Sequence, residues 1–279
     1  MWLETMNIGE IRQIKELLTM FGAKPNNDLG QNFLVEQKYL DQIVDAAEPL
    51  EGEKVLEIGP GMGVLTRELT RRAKEVTAIE VDPKMVEILK TLCIKCTNLT
   101  VRTMDILQFD PTDFGPYKII ANVPYYITSK ILRKFLEEKN KPKEMVLLVQ
   151  KEVAERICAT PNRMSVLSVS VQYYGNPKLI GIVPREAFYP TPQVSSAIIK
   201  ITTYKTPIFS DVDSTRFFAL VKSGFGEKRK QLANSLLGFG PYEKEEVIGK
   251  LKAAGINPER RAETLSLAEW RTLYKQYYR

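Results

Sequence analysis

The 279-residue chain has no histidine, only three cysteines and two tryptophans, and no apolar run long enough to cross a bilayer. Without imidazole there is no histidine general base, triad partner or metal ligand, so serine triads and most zinc enzymes are excluded. Cys93, Cys96 and Cys158 are too few for a disulfide framework and fit a reducing compartment. Cys93 and Cys96 form a C-x-x-C, but a zinc site needs four ligands and one other cysteine cannot complete it, so no metal is expected. The opening "MWLETMNIGEIRQ" carries acidic residues and no signal-type apolar block. These absences predict a cytoplasmic protein without a membrane partner, whose chemistry falls to carboxylates, amides and aromatic rings.

What is present describes a globular chain, 44% hydrophobic and 27% charged, sized for one large core and a smaller unit. The charge is unevenly placed. Residues 1–199 hold 25 Lys and Arg against 25 Asp and Glu, whereas residues 200–279 hold 15 against 9, so the whole net charge of +6 lies in the C-terminal stretch. That division predicts a neutral catalytic body and a basic unit facing a polyanion.

Ile8, Ile11, Ile14, Leu17, Leu18 and Phe21 fall at helical spacing, predicting an amphipathic helix over 7–22 that Gly22 and Pro25 end. Tyr39, Leu40, Ile43, Val44 and Ala47 mark a second helix. Short apolar strands follow at 54–58, 75–81, 99–104, 117–123 and 144–150, with helices at 64–73, 83–92 and 128–138 between them. This alternation predicts a parallel sheet covered by helices on both faces. "VLSVSVQYYG" (166–175) and "SSAIIKIT" (195–202) read as further strands closing the sheet edge, partly antiparallel. Only helical patterns remain after that, at 213–224, 228–237, 243–254 and 266–277. The expected domains are therefore 1–207, with the N-terminal helix, and an all-helical 208–279.

"LEIGPGMG" places Gly59, Gly61 and Gly63 after the first of these parallel strands, where glycine permits a tight turn against a ligand. A dinucleotide fingerprint wants its third glycine where Val64 stands, which weakens a nicotinamide or flavin reading. Glu80 ends the next strand, 19 residues after Gly61, where a carboxylate can accept from ribose hydroxyls. Asp105 ends the third and can accept from an adenine amine. An adenosine without a pyrophosphate fits this set, and S-adenosylmethionine is the common cofactor of that kind. Acidic residues in such places also serve as helix caps.

The fourth strand runs into "NVPYY", and a buried strand has no reason of its own to end in an amide, a proline and two tyrosines. An adenine amine is a poor nucleophile because its lone pair is delocalised into the ring. Two acceptors on its hydrogens counter that: the Asn122 side-chain oxygen and the Val123 carbonyl, held extended by Pro124. Tyr125 offers a face on which the base can stack, a contact worth roughly 1–3 kcal/mol.

"LGQNFLV" (29–35), "VLEIGPGMGVLT" (55–66), "AIEVD" (78–82), "DIL" (105–107), "IIANVPYYI" (119–127), "FYPTPQVSSAI" (188–198), "FGEKRKQLANSL" (225–236) and "RAETLSLAEW" (261–270) occur in order over nearly the whole chain. In these segments the sequence resembles the KsgA/RsmA-type small-subunit rRNA adenine dimethyltransferases. The resemblance implies an α/β fold: a Rossmann-like class I methyltransferase sheet, mostly parallel with an antiparallel edge strand, and a small C-terminal helical domain. It implies S-adenosylmethionine contacts from Gln31, Asn32, Leu34, Gly59, Gly61, Glu80, Asp105 and Asn122, a catalytic turn of Asn122, Val123, Pro124 and Tyr125, and Phe188 as a second aromatic wall for the base. The implied activity is dimethylation of two adjacent adenosines in a hairpin near the 3′ end of small-subunit rRNA. The implied partner is an assembly intermediate of the small ribosomal subunit, approached by a monomer with no obligate protein partner. Lys222, Lys228, Arg229, Lys230, Arg260 and Arg261 are the expected phosphate contacts. Val123 stands where the family more often has Leu, and Asn26-Asn27-Asp28 where it usually has basic residues. An Erm-type large-subunit methylase, a DNA adenine methylase and a non-catalytic ribosome assembly factor are the alternatives.

Overall fold

The computed structural model describes residues 10–227 and 229–278. Residues 7–9, with which the expected N-terminal helix begins, and Lys228 lie outside them. The strands are β1 (Phe33–Leu34), β2 (Lys54–Ile58), β3 (Glu75–Glu80), β4 (Leu99–Thr103), β5 (Lys118–Asn122), β6 (Glu144–Gln150), β7 (Gly175–Val183), β8 (Phe188–Tyr189) and β9 (Ser196–Thr203). The helices are α1 (Ile11–Met20), α2 (Gln37–Ala47), α3 (Val64–Arg72), α4 (Pro83–Leu92), α5 (Thr128–Glu137), α6 (Lys151–Ile157), α7 (Val166–Tyr174), α8 (Ser214–Gly224), α9 (Leu232–Ser235), α10 (Lys244–Ala253) and α11 (Leu267–Tyr277).

Seven strands form one sheet in the order β4-β3-β2-β5-β6-β9-β7. The pairs β3–β4, β2–β3, β2–β5 and β5–β6 are parallel, and β9 runs antiparallel to β6. After β2 the chain builds outward through β3 and β4, then returns to lay β5 on the other side of β2. The carboxyl ends of β2 and β5 therefore flank the switch point, where open α/β sheets bind ligands. The inner strands are buried almost throughout, as a sheet covered on both faces requires. Helix α2 and β1 pack into one core with β2, β5 and β6, and α1, Phe33, Met62 and α4 form another.

The chain divides into two compact units: residues up to Ala154 with Pro177–Thr203, and Glu155–Asn176 with Tyr204 onward. The expected boundary at 207/208 lies close to 203/204, but 155–176 group with the C-terminal residues. In that unit Tyr173 stacks on Phe217 at 5.2 Å between ring centroids, and the Tyr204 N–H donates to the Tyr174 carbonyl at 2.8 Å. Trp270 lies fully buried against Gly224, where an added Cβ would come within 2.4 Å of the indole.

Two expected elements differ. The stretch 166–175, expected as a strand, is helix α7 over Val166–Tyr174; the edge strand is β7, which follows it. A reciprocal cap between Ser165 and Ser168 starts the helix, and its Val169, Val171, Tyr173 and Tyr174 are buried, so capping and packing override the Val-Ser alternation. The expected helix over 228–237 is reduced to the single turn of α9, Leu232–Ser235, because Gln231 is extended and the Lys230 N–H closes a turn onto Glu227.

Candidate active site

A cavity of about 290 Å³ opens at the carboxyl ends of β2, β3 and β5, and its lining includes Gly59, Gly61, Glu80, Asp105 and Asn122 through Tyr126. The glycine turn is built for close approach. Gly61 has φ +55°, and a Cβ there would stand 3.0 Å from the Phe33 ring. Gly63, at φ +88°, caps the start of α3, and its Cβ would come within 2.4 Å of Leu89. Both positions combine a left-handed backbone, which strains any other residue, with a neighbour that would have to shift to admit a side chain.

Glu80 is fixed by backbone donors. Its Oε2 accepts from the Gly61 N–H at 3.0 Å, and its Oε1 from the N–H groups of Val81 and Asp82 at 2.9 and 3.0 Å. Burial raises its carboxyl above the ordinary range, while these donors pull the other way. Three of about four lone-pair sites are thus occupied, leaving acceptor capacity on Oε2. Asp105 is exposed; Oδ1 accepts from the Leu107 N–H at 2.9 Å and caps the turn over Ile106–Gln108, so it is at once a cap and a lining acceptor.

The "GQNFL" segment crosses the rim and is tied down. Gln31 donates to Asp82 Oδ2 at 2.8 Å and accepts from the Asn26 N–H at 2.8 Å. These bonds hold the segment in place, and Gln31 also lines the cavity with an N–H and a lone pair to spare. The Asn32 amide donates to the Gly30 carbonyl at 3.2 Å, and Leu34, in β1, lines the cavity. The Asn122 Nδ2 donates to the Asn32 carbonyl at 3.0 Å. A carbonyl can only accept, so this bond fixes the amide's orientation and leaves Oδ1 as an acceptor. Beyond it, the Val123 N–H extends the ladder to the Leu148 carbonyl at 3.0 Å, and Pro124 enters a 3₁₀ turn over Tyr125–Ile127.

Phe188 is a correction. It is 1% exposed, lies in the core beside Leu34 and Val183, and is absent from the cavity lining. The β1–β8 register, which sets Phe188 opposite Leu34, turns it into that core. The second tyrosine of the motif, Tyr126, lines the cavity instead.

One lining residue was missed in the sequence. Glu57 is 1% exposed, and among the described residues its Oε2 has no hydrogen-bond partner. Burial pushes its carboxyl up to about 8, and the neighbouring Glu80 charge adds to the shift. The available signal was an acid among the apolar residues Val55, Leu56 and Ile58 of the strand "KVLEI".

Of the expected phosphate contacts, Lys222, Arg229 and Arg261 are exposed. Lys230 is paired with Glu227 at 2.6 Å. Arg260 is bound within its own unit: its guanidinium is paired with Glu269 and donates to the Thr264 carbonyl at 2.7 Å and to Thr264 Oγ1 at 3.1 Å.

A parallel sheet with an antiparallel strand, a glycine turn after its first parallel strand, and acidic residues ending β3 and following β4 define a class I methyltransferase fold. Comparison with known proteins narrows this. The model of the ribosomal RNA adenine dimethylase family matches residues 22–278. "Ribosomal RNA small subunit methyltransferase A" of Dehalococcoides mccartyi is 45% identical, over 95% of this chain and 92% of that one. The protein of the same name from Anoxybacillus flavithermus is 40% identical, over 95% and 94%. Among solved structures, the 23S rRNA methyltransferase ErmE superposes with a TM-score of 0.74 at 29% identity, covering 89% of this chain and all of that one. A dimethyladenosine transferase from Plasmodium falciparum superposes with a TM-score of 0.75 at 26% identity, covering 87% and 96%. The chain belongs to the ribosomal RNA adenine dimethylase family.

Proposed function

We propose that the protein dimethylates the exocyclic amines of two adjacent adenosines in a hairpin near the 3′ end of small-subunit rRNA, using S-adenosylmethionine and acting on an assembly intermediate of the small ribosomal subunit. The observation that carries this reading is the fixed amide of Asn122, whose Nδ2 is spent on Asn32 while the residue lines the cavity.

The cavity suits the cofactor. Glu80 and Asp105 line it beside the neutral Glu57 carboxyl, and Lys130 is the sole lysine or arginine among the described lining residues. This balance disfavours a pyrophosphate and favours a cation carrying hydroxyls and an amine. Glu80 and Asp105 have acceptor capacity to spare for the nucleoside, and the orphaned Glu57 Oε2 is a buried acceptor for an ammonium group. When bound, S-adenosylmethionine supplies an electrophilic methyl group on a sulfonium.

The chain's own groups then prepare the base. Asn122 Oδ1 and the Val123 carbonyl accept the two amine hydrogens, which draws the nitrogen lone pair out of the ring and favours the tetrahedral form. Tyr125 holds the base by stacking, and alignment supplies most of the acceleration. The amine proton leaves to water after transfer, so no histidine is needed. After one methylation the amine must turn so that its remaining hydrogen meets an acceptor. In the second unit, exposed Lys222, Arg229 and Arg261 support a role in contacting rRNA phosphates. Among the described residues no helix is long and apolar enough to cross a membrane, and the proposal takes the protein as a cytoplasmic monomer.

The likeness to ErmE supports a second reading, large-subunit rRNA as substrate; the names of the more similar relatives count against it. The test incubates the purified protein with labelled S-adenosylmethionine and undermethylated small subunits, with large subunits and DNA as controls, and identifies the nucleosides by mass spectrometry. The expected outcome is dimethyladenosine from small subunits alone, abolished by Asn122→Ala. Label in large-subunit RNA selects the second reading. Subunit binding without any transfer overturns both and leaves an assembly factor.

A further inference from the structure

The segment 188–198 lies far in sequence from the catalytic turn, and Phe188, the residue expected to join them at the base, is buried elsewhere. The two segments do meet, through a different pair. The Tyr125 hydroxyl and Ser196 Oγ are 2.6 Å apart, a short bond between two hydroxyls.

Each side of this bond has a distinct character. Ser196 is fully buried and opens β9, opposite Gln150 in the antiparallel ladder with β6. The carbonyl of the preceding Ser195 accepts the Lys151 N–H at 3.0 Å, so the backbone around Ser196 is held on both sides of the ladder's end. Tyr125 belongs to a short 3₁₀ turn whose carbonyl accepts from Thr128 Oγ1 at 3.2 Å, which fixes its backbone but not the angle of its ring. The ring lines the cavity, and burial raises its phenol above the ordinary value, so it remains a neutral hydroxyl able to donate or accept.

We propose that Ser196 is a positioning residue for the methyl transfer: its hydroxyl holds the para end of the Tyr125 ring, and so the tilt of the ring axis against which the target adenine stacks beside Asn122. The proposal rests on the reading of Tyr125 as the base platform. A stacked base has little tolerance for tilt, because its amine must lie between the Asn122 and Val123 oxygens and in line with the transferred methyl. A ring anchored at its para position by a sheet residue resists that tilt. The bond thus gives the serine at the end of "PTPQVSS" a role that does not require it to touch substrate.

The test is a cycle of Ser196→Ala, Tyr125→Phe and the double variant, each assayed on small subunits. Ser196→Ala is expected to lower kcat about tenfold while KM for the cofactor stays within about twofold, since only alignment is lost. Tyr125→Phe keeps the stacking face and loses the same anchor, so it gives a similar loss, and the double variant falls no further than either single one. Wild-type kcat in Ser196→Ala, or losses that multiply to about a hundredfold in the double variant, overturn the proposal. A readout independent of transfer accompanies the cycle: ¹³C-ring-labelled tyrosine spectra, with the Tyr125 signal assigned by Tyr125→Phe. The signal is expected to shift and broaden in Ser196→Ala, and an unchanged signal also overturns the proposal. Should the wild type transfer no methyl group, the functional reading fails, and the ring spectra alone decide the anchor.

Discussion

At the scale of the residue, Glu57 makes the most direct claim on experiment. Its carboxyl keeps its proton in the folded chain up to about 8, whereas in the unfolded chain it ionises near 4.3. Between those values the folded state binds the extra proton, so stability is greatest at low pH and falls as pH rises through this window. The full loss is on the order of 5 kcal/mol, reached above the folded pKa. Glu57→Gln removes the ionisation and keeps the shape, so at pH 9 its melting temperature is expected to exceed that of the wild type by several degrees, with the gap closing toward pH 5. Parallel melting curves at the two pH values check this, and a gap that is independent of pH would show that Glu57 does not titrate in the window. Glu57 also illustrates what is hard to read in a sequence. Gly61, Glu80 and Asn122 could be placed because each sits at a strand end in a patterned segment. One acid inside "KVLEI" has no pattern, and only burial shows that it is held neutral against a cavity.

At the scale of the element, the parallel core was legible because five short apolar runs recur there with three helical periods between them. It failed where local alternation and tertiary packing disagree. Val166, Val169 and Val171 between serines read as a strand, yet the Ser165 and Ser168 hydroxyls close a reciprocal cap, and Tyr173 and Tyr174 need aromatic partners on α8. The cap was visible as a serine pair three apart, the spacing of a helix start. Its contribution can be measured. Ser165→Ala removes the acceptor for the Ser168 N–H and is expected to cost about 1 kcal/mol, or about 2–4 °C in melting temperature. A melting temperature equal to the wild type would mean that packing alone holds α7. Phe188 failed for a related reason: its motif fixes its place in the chain, but the β1–β8 register decides which way the ring faces.

At the scale of the whole molecule, the C-terminal excess of positive charge separates into cations of two kinds. Arg260 has its guanidinium held by Glu269 and Thr264, whereas Lys222, Arg229, Arg261 and Lys230 are exposed, Lys230 in a solvent-facing pair with Glu227. An arginine with four of its five N–H donors already bonded inside the protein has little left to offer a phosphate, while each exposed cation can displace counterions from RNA. Binding of small subunits, measured across salt concentrations, should divide the variants accordingly. Arg229→Ala and Arg261→Ala are each expected to weaken binding and to reduce the slope of log affinity against log salt by about 1. Arg260→Ala is expected to leave the slope unchanged and to lower the melting temperature, because it leaves the Glu269 carboxylate, held below the ordinary range by Arg260 and Ser266, with the Ser266 donors alone. If all three variants bind with the wild-type slope, the basic unit does not meet rRNA through these residues, and its charge has to be explained by another surface. If Arg260→Ala alone reduces the slope, the Glu269 pair opens on binding and the internal bond is a resting state of an RNA contact.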